Sequence, residues 1–112
     1  MFLLRRGEEI ALRQRPAAGL LAGLWEYPHT EGMLDESGAA AQLAQWDIVP
    51  HKWVKSIRFK HEFTHIRWEM VGYVLETEGN GPTDWVWADR KERQRYAIPS
   101  AFEKLTREWE ER

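Results

Sequence analysis

Between Phe59 and Val74 the sequence reads FKHEFTHIRWEMVGYV, and its apolar residues change parity once. Upstream, Ile57, Phe59, His61 and Phe63 alternate with Ser56, Arg58, Lys60 and Glu62. Downstream, Ile66, Trp68, Met70 and Val74 alternate with Arg67, Glu69, Val71 and Tyr73. A period of two marks a strand with one buried face, so two such runs in succession commit the middle of the chain to a pair of strands meeting at Phe63-Thr64-His65. The junction holds no Gly, Pro, Asn or Asp, which argues against a tight primed turn and for an open or bulged connection. Its tip brings an aromatic ring, a hydroxyl and an imidazole together as a candidate binding loop.

The other segments supply the rest of a sheet. Phe2 to Arg6 and Glu9 to Gln14 alternate around Arg6-Gly7-Glu8, where Gly7 can take the positive φ of a hairpin turn. Pro16 and Gly19 end that second strand. Gly19 to Pro28, GLLAGLWEYP, is too glycine-rich for a helix and too apolar for an exposed linker. It is expected to pack across the sheet as irregular structure, with Leu20, Leu21, Leu24 and Trp25 inward. After a polar loop from His29, Asp35 or Ser37 caps a short helix running to about Trp46, with Ala40, Leu43 and either Ala44 or Trp46 on its buried side. Pro50 breaks the next run, so the paired strands are expected over Trp53 to Phe63 and Ile66 to Glu76. Glu78 to Pro82 reads as a loop, Asp84 to Ala88 as a short strand, and Asp89 to Arg95 as a charged connection. Pro99 opens a closing helix whose apolar stripe is Ile98, Phe102, Leu105 and Trp109. The 112 residues make one α+β domain, 1–112, a small sheet with two packed helices.

Composition removes several chemistries. With no cysteine the chain offers no disulfide, thiolate nucleophile, cysteine-held iron–sulfur cluster or cysteine-based zinc site, a composition that suits the cytosol. MFLLRRGEE has three apolar residues before its charges and reads as neither a signal peptide nor a membrane span. His61 and His65 are spaced as a metal pair would be on a helix. Along a strand four residues span roughly 13 Å, so no metal site is expected there. The net charge of −2 is far from the basic balance of an autonomous nucleic-acid binder. Within it, Lys52 to Lys60 is a run with no acid inside. Seven Trp, four Phe and three Tyr belong mainly to the core, with one or two exposed rings open to base stacking.

Four motifs in this order, Arg13-Gln14-Arg15-Pro16, Gly19 to Pro28, Phe63-Thr64-His65 and Tyr96-Ala97-Ile98-Pro99-Ser100, closely resemble the C-terminal domain of the MutY adenine DNA glycosylases across essentially the whole chain. The resemblance implies a Nudix-like fold, a small mixed β-sheet with two packed helices. It implies a recognition domain for 8-oxoguanine opposite a misincorporated adenine in duplex DNA. Phe63, Thr64 and His65 match the family's lesion-contacting loop, with Thr64 where Ser is frequent. Lys55, Arg58, Lys60 and Arg67 are candidate phosphate contacts on charge and proximity alone. In that family a separate N-terminal domain flips and excises the adenine, using an acid, a carboxylate and a cysteine-ligated cluster. The resemblance therefore makes this chain a domain excised from a longer glycosylase, with that catalytic domain as a partner, an iron–sulfur cluster only there, and a DNA-associated setting in the bacterial cytoplasm.

Two other classes remain open. A divergent Nudix hydrolase of oxidised nucleotides needs clustered carboxylates on a helix to hold magnesium, yet Gly38 to Trp46, GAAAQLAQW, has none. A protein-docking module would use the aromatic surface against a partner.

Overall fold

The computed structural model describes residues 1–19, 22–30, 34–62, 67–99, 102 and 106–107, with the backbone alone at 61, 62 and 68. Its elements are β1 (Phe2–Arg6), β2 (Glu9–Gln14), β3 (Trp25–Glu26), α1 (Glu36–Gln45), β4 (Val49–Glu62), β5 (Arg67–Glu78), β6 (Val86–Ala88) and α2 (Arg90–Arg93). They form a mixed sheet in the order β3-β2-β1-β5-β4, with β6 also paired to β2. Gly7 sits at φ 62° and returns β1 onto β2 as an antiparallel hairpin. The other edge of β2 is shared, β6 pairing with Ile10–Leu12 and β3 with Arg13 and Gln14. β1 lies parallel to β5, Phe2 opposite Tyr73 through Arg5 opposite Glu76.

The central strands are buried on both faces, which is why β1 reads Phe2-Leu3-Leu4 without a polar alternation. Leu3, Ile10, Leu12, Val74 and Phe59 pack on one face with Tyr27 and Phe102. Phe2, Leu4, Ala11, Tyr73 and Leu75 pack on the other against Ala39 and Leu43 of α1. Asp35 starts α1 by accepting from Gly38 N at 2.8 Å, a cap contributing about 1 kcal/mol. The helix buries Ala39 rather than the expected Ala40, because Ala39 shares the stripe of Leu43 four residues on.

Three further expectations change. Pro50 lies inside β4 rather than before it. β4 is an edge strand with register shifts between Pro50 and Lys52 and between Trp53 and Lys55, a setting that tolerates a missing N–H. Asp89 to Arg95 contains α2, nucleated by a reciprocal capping box in which Asp89 accepts from Glu92 N and Glu92 from Asp89 N. The GLLAGLWEYP segment ends in the short strand β3, and its buried residues are Glu26, Tyr27 and Pro28, while Leu24 and Trp25 are half-buried. Leu20 and Leu21 lie outside the described residues. So does most of the stretch expected to close the chain as a helix, of which Phe102 is fully buried and Thr106 and Arg107 are helical.

Glu26 explains the hold of β3 on β2. Its carboxylate is 2% exposed and accepts from Arg13 Nε at 2.8 Å and Arg15 Nη1 at 2.6 Å, with His29 Nδ1 at 3.2 Å. Arg13 Nη2 also donates to the His29 carbonyl at 2.5 Å. Burial alone pushes the carboxyl upward, but the His29 hydrogen bond and charge and then those of Arg13 outweigh it, and the pKa falls to about 2.

A carboxylate depressed on folding stabilises above its ordinary value and loses that contribution as pH falls through its folded value. Glu26 should therefore supply up to about 3 kcal/mol that disappears between pH 4.5 and 2. Glu26→Gln should cost about 3 kcal/mol or more at pH 7 and flatten the acid limb, as measured by urea unfolding at pH 7 and pH 3. Gly79 holds φ 110°, and a Cβ there would sit 2.6 Å from the Asp47 carbonyl, so Gly79→Ala should cost about 2 kcal/mol or more. At Gly7 a Cβ meets nothing within 4 Å, and Gly7→Ala should cost only about 1 kcal/mol in the same assay.

Candidate nucleic-acid interface

β4 and β5 run on past the rest of the sheet. The parallel partner β1 takes β5 from Tyr73 to Glu76, so among the described residues Arg67 to Met70 pairs with β4 alone. Together with the facing part of β4 it forms a two-stranded ribbon, in unbroken register from Lys55 opposite Val74 to Glu62 opposite Arg67. Such a ribbon has the cross-section that a major groove admits. The connection at its tip contains Phe63, Thr64 and His65, which lie outside the described residues.

Register decides which cations act together. Residues directly opposite on antiparallel strands share a face. Arg58 stands opposite Val71, Lys60 opposite Glu69, and Arg67 is the partner of Glu62, so all three belong to the α1 face, where Val71 and Tyr73 pack. Lys55 stands opposite Val74 and so falls on the other face, that of Ile57 and Phe59. The structure thus brings together three of the four candidate phosphate contacts and separates Lys55. The register shift between Trp53 and Lys55 also puts Trp53 on the face of Arg58, although their numbers differ in parity. All four cations are exposed, and Arg67 Nη2 lies 3.7 Å from Glu69 Oε1.

At the base of this face a cavity of about 310 Å³ opens between the start of α1 and the two strands, lined by Asp35, Glu36, Ser56, Arg58, Val71 and Tyr73. Ser56 was not singled out in the sequence, though its parity with Arg58 was a usable signal. Tyr73 donates its phenolic hydrogen to the Leu34 carbonyl at 2.6 Å. Burial first, then the neighbouring Glu36 and Asp35, raise the phenol above its ordinary pKa, so the hydroxyl stays a donor at neutral pH. This corner does not suit a magnesium ion. Glu36 is the one carboxylate within α1, and an oxygen of Asp35 is already engaged by Gly38 N. No group of three or more metal-ligating side chains occurs among the described residues.

Comparison with known proteins agrees with this architecture. The chain is 31% identical to human adenine DNA glycosylase over 112 residues, covering 90% of this chain and 20% of that protein. It is 31% identical to the rat adenine DNA glycosylase over 116 residues, covering 94% of this chain and 22% of that protein. The chain thus spans about a fifth of the length of the relatives it matches. Among solved structures, the C-terminal domain of mouse MUTYH, crystallised in complex with human PCNA, superposes with a TM-score of 0.76 at 24% identity, over 98% of this chain and 84% of that one. The E. coli ORF135 protein superposes with a TM-score of 0.60 at 19% identity, over 93% and 81% of the two chains. At those identities the likeness concerns the fold. The model of the NUDIX domain matches residues 1–108, and the chain belongs to that family.

Proposed function

We propose that this chain is the lesion-reading domain of an adenine DNA glycosylase of base excision repair, and that it reads 8-oxoguanine opposite a misincorporated adenine. The observation that carries the reading is the projecting β4–β5 ribbon, found on a chain that aligns over 90% of its length with one fifth of an adenine DNA glycosylase. On this reading Arg58, Lys60 and Arg67 meet phosphates along one flank of the ribbon and set its register on the duplex, without reading sequence. Thr64 reads the lesion. Oxidation at C8 turns guanine N7 from an acceptor into an N–H donor and adds a carbonyl oxygen, and a hydroxyl answers both by accepting from N7–H or donating to O8. His65 contacts a phosphate or base edge, and Phe63 anchors the loop or wedges against the stack.

Adenine excision and the base flipping before it are assigned to a catalytic domain outside this chain, together with any cysteine-held iron–sulfur cluster. That division suits a net charge of −2, because tethering raises the effective concentration of a weak reader at the lesion. The setting proposed is the bacterial cytoplasm, on duplex DNA.

Thr64→Ala should reduce the preference for a duplex holding 8-oxoguanine over one holding guanine by about 1–3 kcal/mol and leave affinity for the guanine duplex unchanged. Amide-shift titrations with both duplexes measure this, and an equal loss on the two overturns the reading. Arg58→Ala and Lys60→Ala should each lower the slope of log affinity against log salt by about one, whereas Lys55→Ala should leave it unaltered.

A further inference from the structure

β4 has β5 on one side and, among the described residues, no strand on the other. Its outer edge therefore presents backbone N–H and C=O groups to which another strand can hydrogen-bond. From Lys55 to Glu62 the pairing with β5 runs without a shift, so beyond the irregular start this edge is regular. Along the α1 face its side chains read Trp53, Ser56, Arg58 and Lys60, an aromatic followed by a hydroxyl and two cations at alternate positions. Val49 and Trp53, at 53% and 37% exposure, are the large apolar side chains left exposed among the described residues, and both belong to this strand. Trp53 is already held in place, its ring edge-on to Tyr73 with centroids 5.6 Å apart. From Val49 to His61 the strand contains no carboxylate.

We propose that the outer edge of β4 receives an acidic, extended polypeptide segment of a protein partner, which joins the sheet as an added strand. Main-chain hydrogen bonds give such a strand its affinity, and its alternate side chains give it specificity. An apolar residue of the segment covers Trp53, and carboxylates spaced two apart meet Arg58 and Lys60. The edge itself separates this occupant from the others. A phosphodiester offers acceptors only and leaves the carbonyls of the edge facing anions, whereas a polypeptide supplies donors and acceptors in alternation. A second copy of the chain aligned on the same edge sets Arg58 and Lys60 against their own counterparts, which is repulsive. This docking stands apart from lesion reading, although Arg58 and Lys60 serve both, so an acidic strand and duplex DNA exclude each other there.

The test is a titration of the isotope-labelled 112-residue chain with a nine-residue extended peptide that carries, on one face, two glutamates spaced two apart for Lys60 and Arg58 and a valine four residues further on for Trp53, beside the same peptide N-methylated at central amides of both its edges. The expected result is amide shifts concentrated at Ser56 to Lys60 and a shift of the Trp53 indole. N-methylation should weaken binding about tenfold or more, with the protein unaltered. Arg58→Glu combined with Lys60→Glu should weaken it to a similar degree, and duplex DNA should displace the peptide. Equal binding of the methylated peptide reduces the contact to charge alone and overturns the proposal. So do shifts of this edge with duplex but not with peptide, or a concentration-dependent dimer that uses it.

Discussion

The parallel pairing of β1 with β5 governs the rest of the molecule. It takes up β5 only from Tyr73 to Glu76 and places Phe2, Leu3 and Leu4 where both faces of the sheet are covered. Both layers of the core depend on that placement, since Leu3 closes one cluster and Phe2 and Leu4 the other. The same pairing releases the first half of β5. Among the described residues Arg67 to Met70 has only β4 to pair with, and a ribbon leaves the sheet. The candidate interface is thus the part of the long β4–β5 pair that, among the described residues, β1 does not pair with.

Charge is organised at two depths. At the buried junction of β2 and β3, two arginines and a histidine surround Glu26, and removing Glu26 takes away the carboxylate that all three share. The cations of the ribbon lie in water, where each is worth little until a polyanion or an acidic strand arrives. The near-neutral whole conceals this separation, because most carboxylates stand on elements other than β4.

A row of aromatic residues connects the interior to the exposed edge of the sheet. Trp85, Trp46, Phe2, Tyr73 and Trp53 contact one another in succession, with centroids 5.0 to 6.0 Å apart, from the interior to the exposed edge of β4. Most of these rings are core, where large aromatic areas compensate for a small domain's limited interior. Trp53 ends the row at the surface, which is why its position is set although its ring is partly open.

Local pattern was sufficient for much of this protein. The hairpin about Gly7, the helix capped at Asp35, the two long strands and the parity of Ile57, Phe59, Arg58 and Lys60 follow from turn chemistry, capping and a period of two, all of which act over a few residues. The D-x-x-E of Asp89 and Glu92 that starts α2 is an equally local signal. What the sequence could not decide depends on neighbours distant in the chain. Pro50 is tolerated because, among the described residues, no strand lies beyond β4, Glu26 is buried because Arg13, Arg15 and His29 converge on it, and Trp53 joins the face of Arg58 only through the shifted register of β4 on β5. Alternation along β4 divides its cations between two faces locally, whereas burial, pairing partner and register are set by long-range contact, and these decide that Arg67 and Trp53 share the face of Arg58 and Lys60.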